Sequence, residues 1–157
     1  MKNINKKLFF SPTDLTLFMR SPFASWVNHF VLEFPEKAPE KDPDDELMGL
    51  LQHKGFQHEE SQEELFKSQG LSVQKIEVET IALKKQATLD AMKSGVDVIF
   101  QAYLENKQFF GYADFLVKVS GASKFGDYHY EVWDTKLSHK PKPEFILLFS
   151  YVVMLRC

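Results

Sequence analysis

Three short stretches hold the residue types that can do chemistry: "GFQHEE" from Gly55, "GYADFLVKV" from Gly111 and "YEVWDTKLS" from Tyr130. The last two alternate as β-strands do, yet Asp114 stands in one, and Asp134 with Lys136 in the other. Pairing them as a hairpin with Val119 opposite His129 puts Asp114 directly across from Asp134. Cross-strand carboxylates about 4.5–5.5 Å apart destabilise a sheet, and Phe110, Tyr112, Leu116, Val132 and Trp133 surround these two. Strand alternation sets Lys136 on the face of Asp134. Two carboxylates with one ammonium leave negative charge that must take up a proton or hold a divalent cation. Oxygen donors favour Mg²⁺ or Mn²⁺ over zinc. Such an ion polarises a phosphate and acidifies a bound water, and a nearby lysine stabilises charge developing on phosphorus. An ordinary ion pair of Lys136 with Asp114 or Asp134 accounts for the same residues, and the hairpin alone leaves both readings open.

His58 is spaced seven residues from both Leu51 and Leu65, on an apolar stripe that also includes Leu47. A histidine there is either a hydrogen-bonded core residue or a ligand. Glu59 and Glu60 read as solvated charge pointing elsewhere, and His29, His53 and His139 as surface residues.

The elements that must position these groups follow from local signals. Ser11-Pro12-Thr13-Asp14 is a helix start, with Leu15, Phe18 and Met19 at helical spacing behind it, and Ser21-Pro22 starts a second short helix through Phe30. Residues 33–46 form a proline-rich charged loop. A helix is expected over 45–69 with Gly70 as its C-cap, and another ends at Gly95. "LSVQKIEV" and the stretches 96–104, 108–119 and 128–136 read as strands. Pro141 and Pro143 introduce a last helix. The class is α+β, with N-terminal helices packed on a mostly antiparallel mixed sheet.

The bulk numbers bound the function. A chain of 157 residues suits one domain, 1–157, divided into N-terminal helices and loop (1–46) and a core (47–157). The net charge of -3 excludes a strongly basic coat, so nucleic-acid binding must rest on a local patch. Lys118, Lys124, Lys136, Lys140 and Lys142 lie near the hairpin and suit phosphate contacts, or simply a solvated strand end. With one cysteine, Cys157, no disulfide framework or metal–thiolate cluster can form within the chain, which fits a reducing, cytoplasmic setting. The apolar stretch Leu8–Phe10 is too short for a signal peptide. The run from Phe145 to Leu155 falls short of the about 20 residues that span a bilayer, so no membrane association is expected.

In order and spacing, "GFQHEE", "GYADFLVKV" and "YEVWDTKLS" resemble the active-site motifs of the RecB-like branch of the PD-(D/E)XK nuclease superfamily: a helical His, Gly-x-x-Asp on a strand, then Asp- or Glu-x-Lys. "SPTDLTLFMRSPFASW" is similar to the amino-terminal helices of that branch, and "SGVDVIFQAYLEN" to the strand before Gly-x-x-Asp. The resemblance implies a restriction-endonuclease-like core and metal-dependent hydrolysis of DNA phosphodiesters in repair, recombination or defence, often beside a helicase. It implies that Asp114, Asp134, His58 and the carbonyl of Thr135 hold Mg²⁺ or Mn²⁺, and that Lys136 orients the attacking water. Some relatives carry an iron–sulfur cluster, but Ser21 occupies the first cluster-cysteine position, so none is expected here. The branch continues with Gln-x-x-x-Tyr on a helix that helps bind substrate. Here Tyr151 is present, but Leu147 stands where the Gln belongs. The chain is therefore expected to be truncated at its C-terminus, the missing portion being supplied elsewhere. Two further readings accompany the nuclease: an inactive remnant that still binds metal or nucleic acid, and an unrelated binding module whose hairpin charges are ion pairs.

Overall fold

Helix punctuation is where the sequence and the computed structural model agree most closely. The structure describes residues 1–4, 6–40 and 46–134. Helix α1, Pro12–Arg20, opens with a full capping box in which Ser11 and Asp14 satisfy each other's backbone N–H groups. Helix α2, Pro22–Glu33, follows after a single residue. Ser21 closes α1 by donating its N–H to the Leu17 carbonyl at 2.8 Å, and opens α2 by accepting from the Ala24 N–H at 3.1 Å. A 3₁₀ turn, Pro35–Lys37, ends this region. Asp14 also holds the Met1 ammonium. Burial alone would raise its carboxyl pKa, but the bonds from the ammonium and Ser11 hold it below the usual carboxylate value.

Two strands precede α1 that the sequence did not announce. β1, Lys2–Ile4, and β2, Lys7–Phe9, form an antiparallel hairpin of their own. The main body is helix α3, Glu46–Ser68, strand β3, Val73–Lys75, helix α4, Ile81–Ser94, then β4, Val98–Asn106, β5, Phe109–Ser123, and β6, Gly126–Trp133. The four-stranded sheet runs β3-β4-β5-β6. β3 and β4 are parallel, because α4 carries the chain across between them, and the other pairings are antiparallel. The mixed α+β class therefore stands. The mostly antiparallel mixed sheet takes the form of a β-α-β unit extended by a hairpin. The hairpin is longer than expected: its strands run to Ser123 and from Gly126, with an irregularity between Ser120 and Ser123, so the Gly/Ser stretch belongs to the strands.

Two apolar clusters occupy opposite sides of the sheet. Ala91 and Met92 of α4 pack with Ile99, Ala102, Leu104, Ala113, Leu116, Tyr130 and Val132. Phe66 of α3 packs with Val98, Phe100, Phe115 and Val117. Of the N-terminal helices, Leu15 joins the α4-side cluster, whereas Phe23 and Trp26 of α2 are 72% and 57% exposed. The packing of both helices on the sheet was thus expected too broadly: α1 reaches the core through Leu15, and these two α2 rings do not.

The α4 face is fastened by polar contacts. Gly95 ends α4 in the left-handed conformation that glycine adopts without cost. Beyond it Asp97 receives the Ser72 N–H and hydroxyl and pairs with Lys118 at 2.6 Å. Lys118 also donates to the Gly95 carbonyl. Lys118, for which the sequence left phosphate contact and a solvated strand end both open, is committed to this clasp. Deeper in, the Thr88 hydroxyl accepts the Tyr103 backbone N–H at 3.1 Å, with Thr88 only 1% exposed.

Two measurements test this picture. Thr88→Val leaves the Tyr103 N–H unpaired in the core and should cost about 1–3 kcal/mol in chemical denaturation. The Lys118 and Ser72 contacts hold the Asp97 carboxyl down at about 2 against an ordinary 3.8. Protons then prefer the unfolded chain between those values. The stability this carboxylate adds is complete above its unfolded value and disappears as pH falls through about 2. Asp97→Asn should flatten the pH dependence of stability in that window and leave it unchanged near neutrality.

Candidate functional site

The site expectation rests first on register, and here the structure is specific. β5 and β6 pair with Phe115 opposite Trp133, Leu116 opposite Val132 and Val119 opposite His129. Continuing one rung places Asp114 across from Asp134, the residue that follows β6. Both are half-buried, and both make polar contacts within the chain. Thr135, Lys136 and Tyr151 lie outside the described residues.

On its other side Asp114 meets an unusual feature. β4 and β5 pair in one unbroken register, with Phe100 opposite Phe115 and Ala102 opposite Ala113, but the rung between, Gln101 with Asp114, is missing from the ladder. Residues two apart on a strand normally share a face. Here Phe100 and Phe115 belong to the α3-side cluster, while Ala102 and Ala113 belong to the α4-side cluster. Both strands therefore turn over at the same rung. The turn is made by Gln101, whose φ is 57°, a left-handed conformation costing a non-glycine residue roughly 1–2 kcal/mol. Asp114 thus interrupts an apolar strand at the point where the strand changes faces.

Helix α3 lies over this region with a polar underside. Its inward residues are Gly55, His58, Glu59, Gln62, Glu63 and Phe66, at the three- and four-residue steps of one helix face. Phe66 anchors it edge-on to Phe115, with ring centroids 5.3 Å apart, and lies 6.2 Å from Trp133, the neighbour of Asp134. The stripe expected from the sequence is not the buried one: Leu51 and Leu65 are 48% and 47% exposed. His58 nevertheless faces inward, half-buried, because it borders both stripes. Glu59 is a correction. It is not solvated charge pointing elsewhere but accepts a 2.6 Å hydrogen bond on Oε2 from Gln101 Nε2. Glu60 is exposed, as expected. The one sequence signal for Glu59 was its place a helical two turns before Phe66, the residue that proves to be the anchor.

Extending the register by one rung sets two half-buried carboxylates on neighbouring strands, and α3, packed on the same sheet, carries an imidazole and a third carboxylate. Among the described residues no three His, Cys, Asp or Glu side chains converge closely enough to hold an ion by themselves. Oxygen donors with an imidazole and no thiolate would, if brought together, suit magnesium or manganese better than a structural zinc. No helix among the described residues is long and apolar enough to cross a membrane. Comparison with models of protein families, with curated proteins and with solved structures returns no match to this chain.

The register at the acidic rung can be tested covalently. In a Cys157→Ser background, cysteines placed at 114 and 134 should form a disulfide under mild oxidation, since paired Cα atoms lie about 4.5–5.5 Å apart. Cysteines at 114 and 131 should remain free thiols. The reverse result would mean a slipped hairpin.

Proposed function

We propose that this domain is a metal-dependent nuclease of the RecB-like PD-(D/E)XK type, built on a restriction-endonuclease-like core and acting on DNA. The observation that carries the reading is the hairpin register, with Phe115 opposite Trp133: one rung further it would set Asp114 beside Asp134, where two carboxylates could share a cation. The ordered motifs along the chain and the inward-facing His58 support it. Asp114, Asp134 and His58 would hold Mg²⁺ or Mn²⁺, joined by the Thr135 carbonyl. The ion supplies charge for a phosphodiester oxygen and a more acidic water.

The chain's own side chains do the remaining work. Lys136 would hold a water in line with the phosphorus and balance the negative charge that accumulates there. Tyr151 would contact the substrate. Carboxylates at half-buried positions, in a setting less polar than water, would hold a cation more strongly than carboxylates on an open surface. Association with a helicase in DNA repair, recombination or defence is the setting that the resemblance suggests, with a cytoplasmic location.

Asp114→Asn tests the reading. The native protein should melt at a higher temperature with millimolar Mn²⁺ than without it, and should cleave single-stranded or duplex DNA only when the ion is present. The variant should lose both effects while keeping its metal-free melting temperature within a few degrees, because asparagine keeps the size and much of the hydrogen-bonding capacity of aspartate without its charge. Metal stabilisation without cleavage would assign an inactive metal-binding remnant. Absence of both in the native protein would leave an ion-pair hairpin and refute the nuclease.

A further inference from the structure

We propose that Glu59 and Gln101 form a positioning latch for the Asp114 carboxylate, an inference whose functional consequence rests on the metal reading above. Gln101 stands opposite Asp114 at the single missing rung of the β4–β5 ladder. Its backbone is held at φ 57°, where a side chain offers no local compensation. What the side chain does instead is reach across to α3, where its amide donates to Glu59 at 2.6 Å. A half-buried amide bonded to a carboxylate is a strong, directional contact. It joins helix and sheet at the point where the strand reverses its faces. Two turns along the same helix, Phe66 makes the apolar attachment to Phe115, the residue after Asp114. The strand around Asp114 is therefore clamped from α3 at two places, one apolar and one polar.

The polar clamp has a specific consequence. The direction of a side chain at a rung where both strands turn over depends on how the turn is made, and Gln101 makes it. Loosening the bond to Glu59 frees Gln101 to return to ordinary strand geometry. Asp114 would then be offered a regular rung and a different direction. Glu59 in this scheme acts through Gln101 and touches neither ion nor substrate.

The experiment uses the full chain with Mn²⁺ alone as the probe, and compares Glu59→Ala, Glu59→Gln, Gln101→Gly and the exposed neighbour Glu60→Ala. Gln101→Gly accepts the left-handed backbone without strain but cannot bond Glu59, so it should fold. Glu59→Ala and Gln101→Gly should each weaken Mn²⁺ binding by about tenfold or more, as outer-shell partners of a metal site do, and the double variant should be no weaker than the poorer single one. Glu59→Gln keeps an acceptor for the Gln101 amide and should stay within about twofold of native, the small change expected when an outer-shell bond survives. A loss in Glu59→Gln equal to that in Glu59→Ala would mean that Glu59 acts by its charge on the ion, and would overturn the latch.

A second readout separates this proposal from the function it rests on. In metal-free, isotopically labelled protein, the Asp114 carboxyl-carbon and amide resonances should move in Glu59→Ala and stay in place in Glu60→Ala. If the native protein shows no response to Mn²⁺, the nuclease reading falls, and these resonances alone decide the latch. Unmoved Asp114 resonances in Glu59→Ala overturn it.

Discussion

A single rung of the sheet organises the rest of the molecule. Where β4 and β5 pass each other at Gln101 and Asp114, neither strand contributes a ladder pair, and both reverse the faces they present. Because the interruption falls on both strands together, the register is the same before and after it. The apolar residues on either side are thus delivered to different layers: Phe100 and Phe115 to the ring cluster under α3, Ala102 and Ala113 to the close-packed side under α4. Small residues on the α4 side let that helix approach the sheet. On the other side α3 meets large rings through Phe66, and its polar inward residues sit at intermediate depth around that anchor.

Partial burial explains how α3 can turn charged residues inward. A helix that buried His58, Glu59, Gln62 and Glu63 against a tightly packed apolar sheet would pay a heavy desolvation cost. Among the described side chains of α3 only Phe66 is fully inserted, and the inward polar residues stop at intermediate depth. Phe66 sits against a stacked Phe100–Phe115 pair, whose ring centroids are 4.9 Å apart. Aromatic contact thus does the anchoring and leaves hydrogen bonding to set direction. On the opposite face the division of labour is reversed: the Asp97–Lys118 clasp and the Thr88 hydroxyl organise the backbone, and Ala91 and Met92 supply close contact.

Much of this was legible in the sequence, and the failures have physical causes. The β5–β6 register, taken with Val119 opposite His129, matches the ladder; alternation fixed the face of each residue, while the offset along the strand was an assumption. Helix caps could be read because Ser-Pro and glycine act locally. The inward face of α3 could not. Two stripes share the helix, and the leucines at Leu51 and Leu65 outweigh a polar underside when hydropathy alone is judged. The turnover at Gln101 had no signal at all, since a left-handed residue is usually announced by glycine or asparagine and here is held by a contact from forty-two residues away. The parallel β3 strand, three residues long, carried too few positions for its direction to be read, so its pairing emerges only from the α4 crossover.

The chain contains two tryptophans, and the fold has separated them sharply. Trp26 sits on α2 between the rings of Phe23 and Phe30. Trp133 lies against Phe66, one residue before Asp134, at the seam between α3 and the last strand. With Trp26 replaced by phenylalanine, the remaining indole becomes a built-in fluorophore beside Phe66, the anchor of α3. Its emission colour would then register any lifting of the helix from the sheet without an added label.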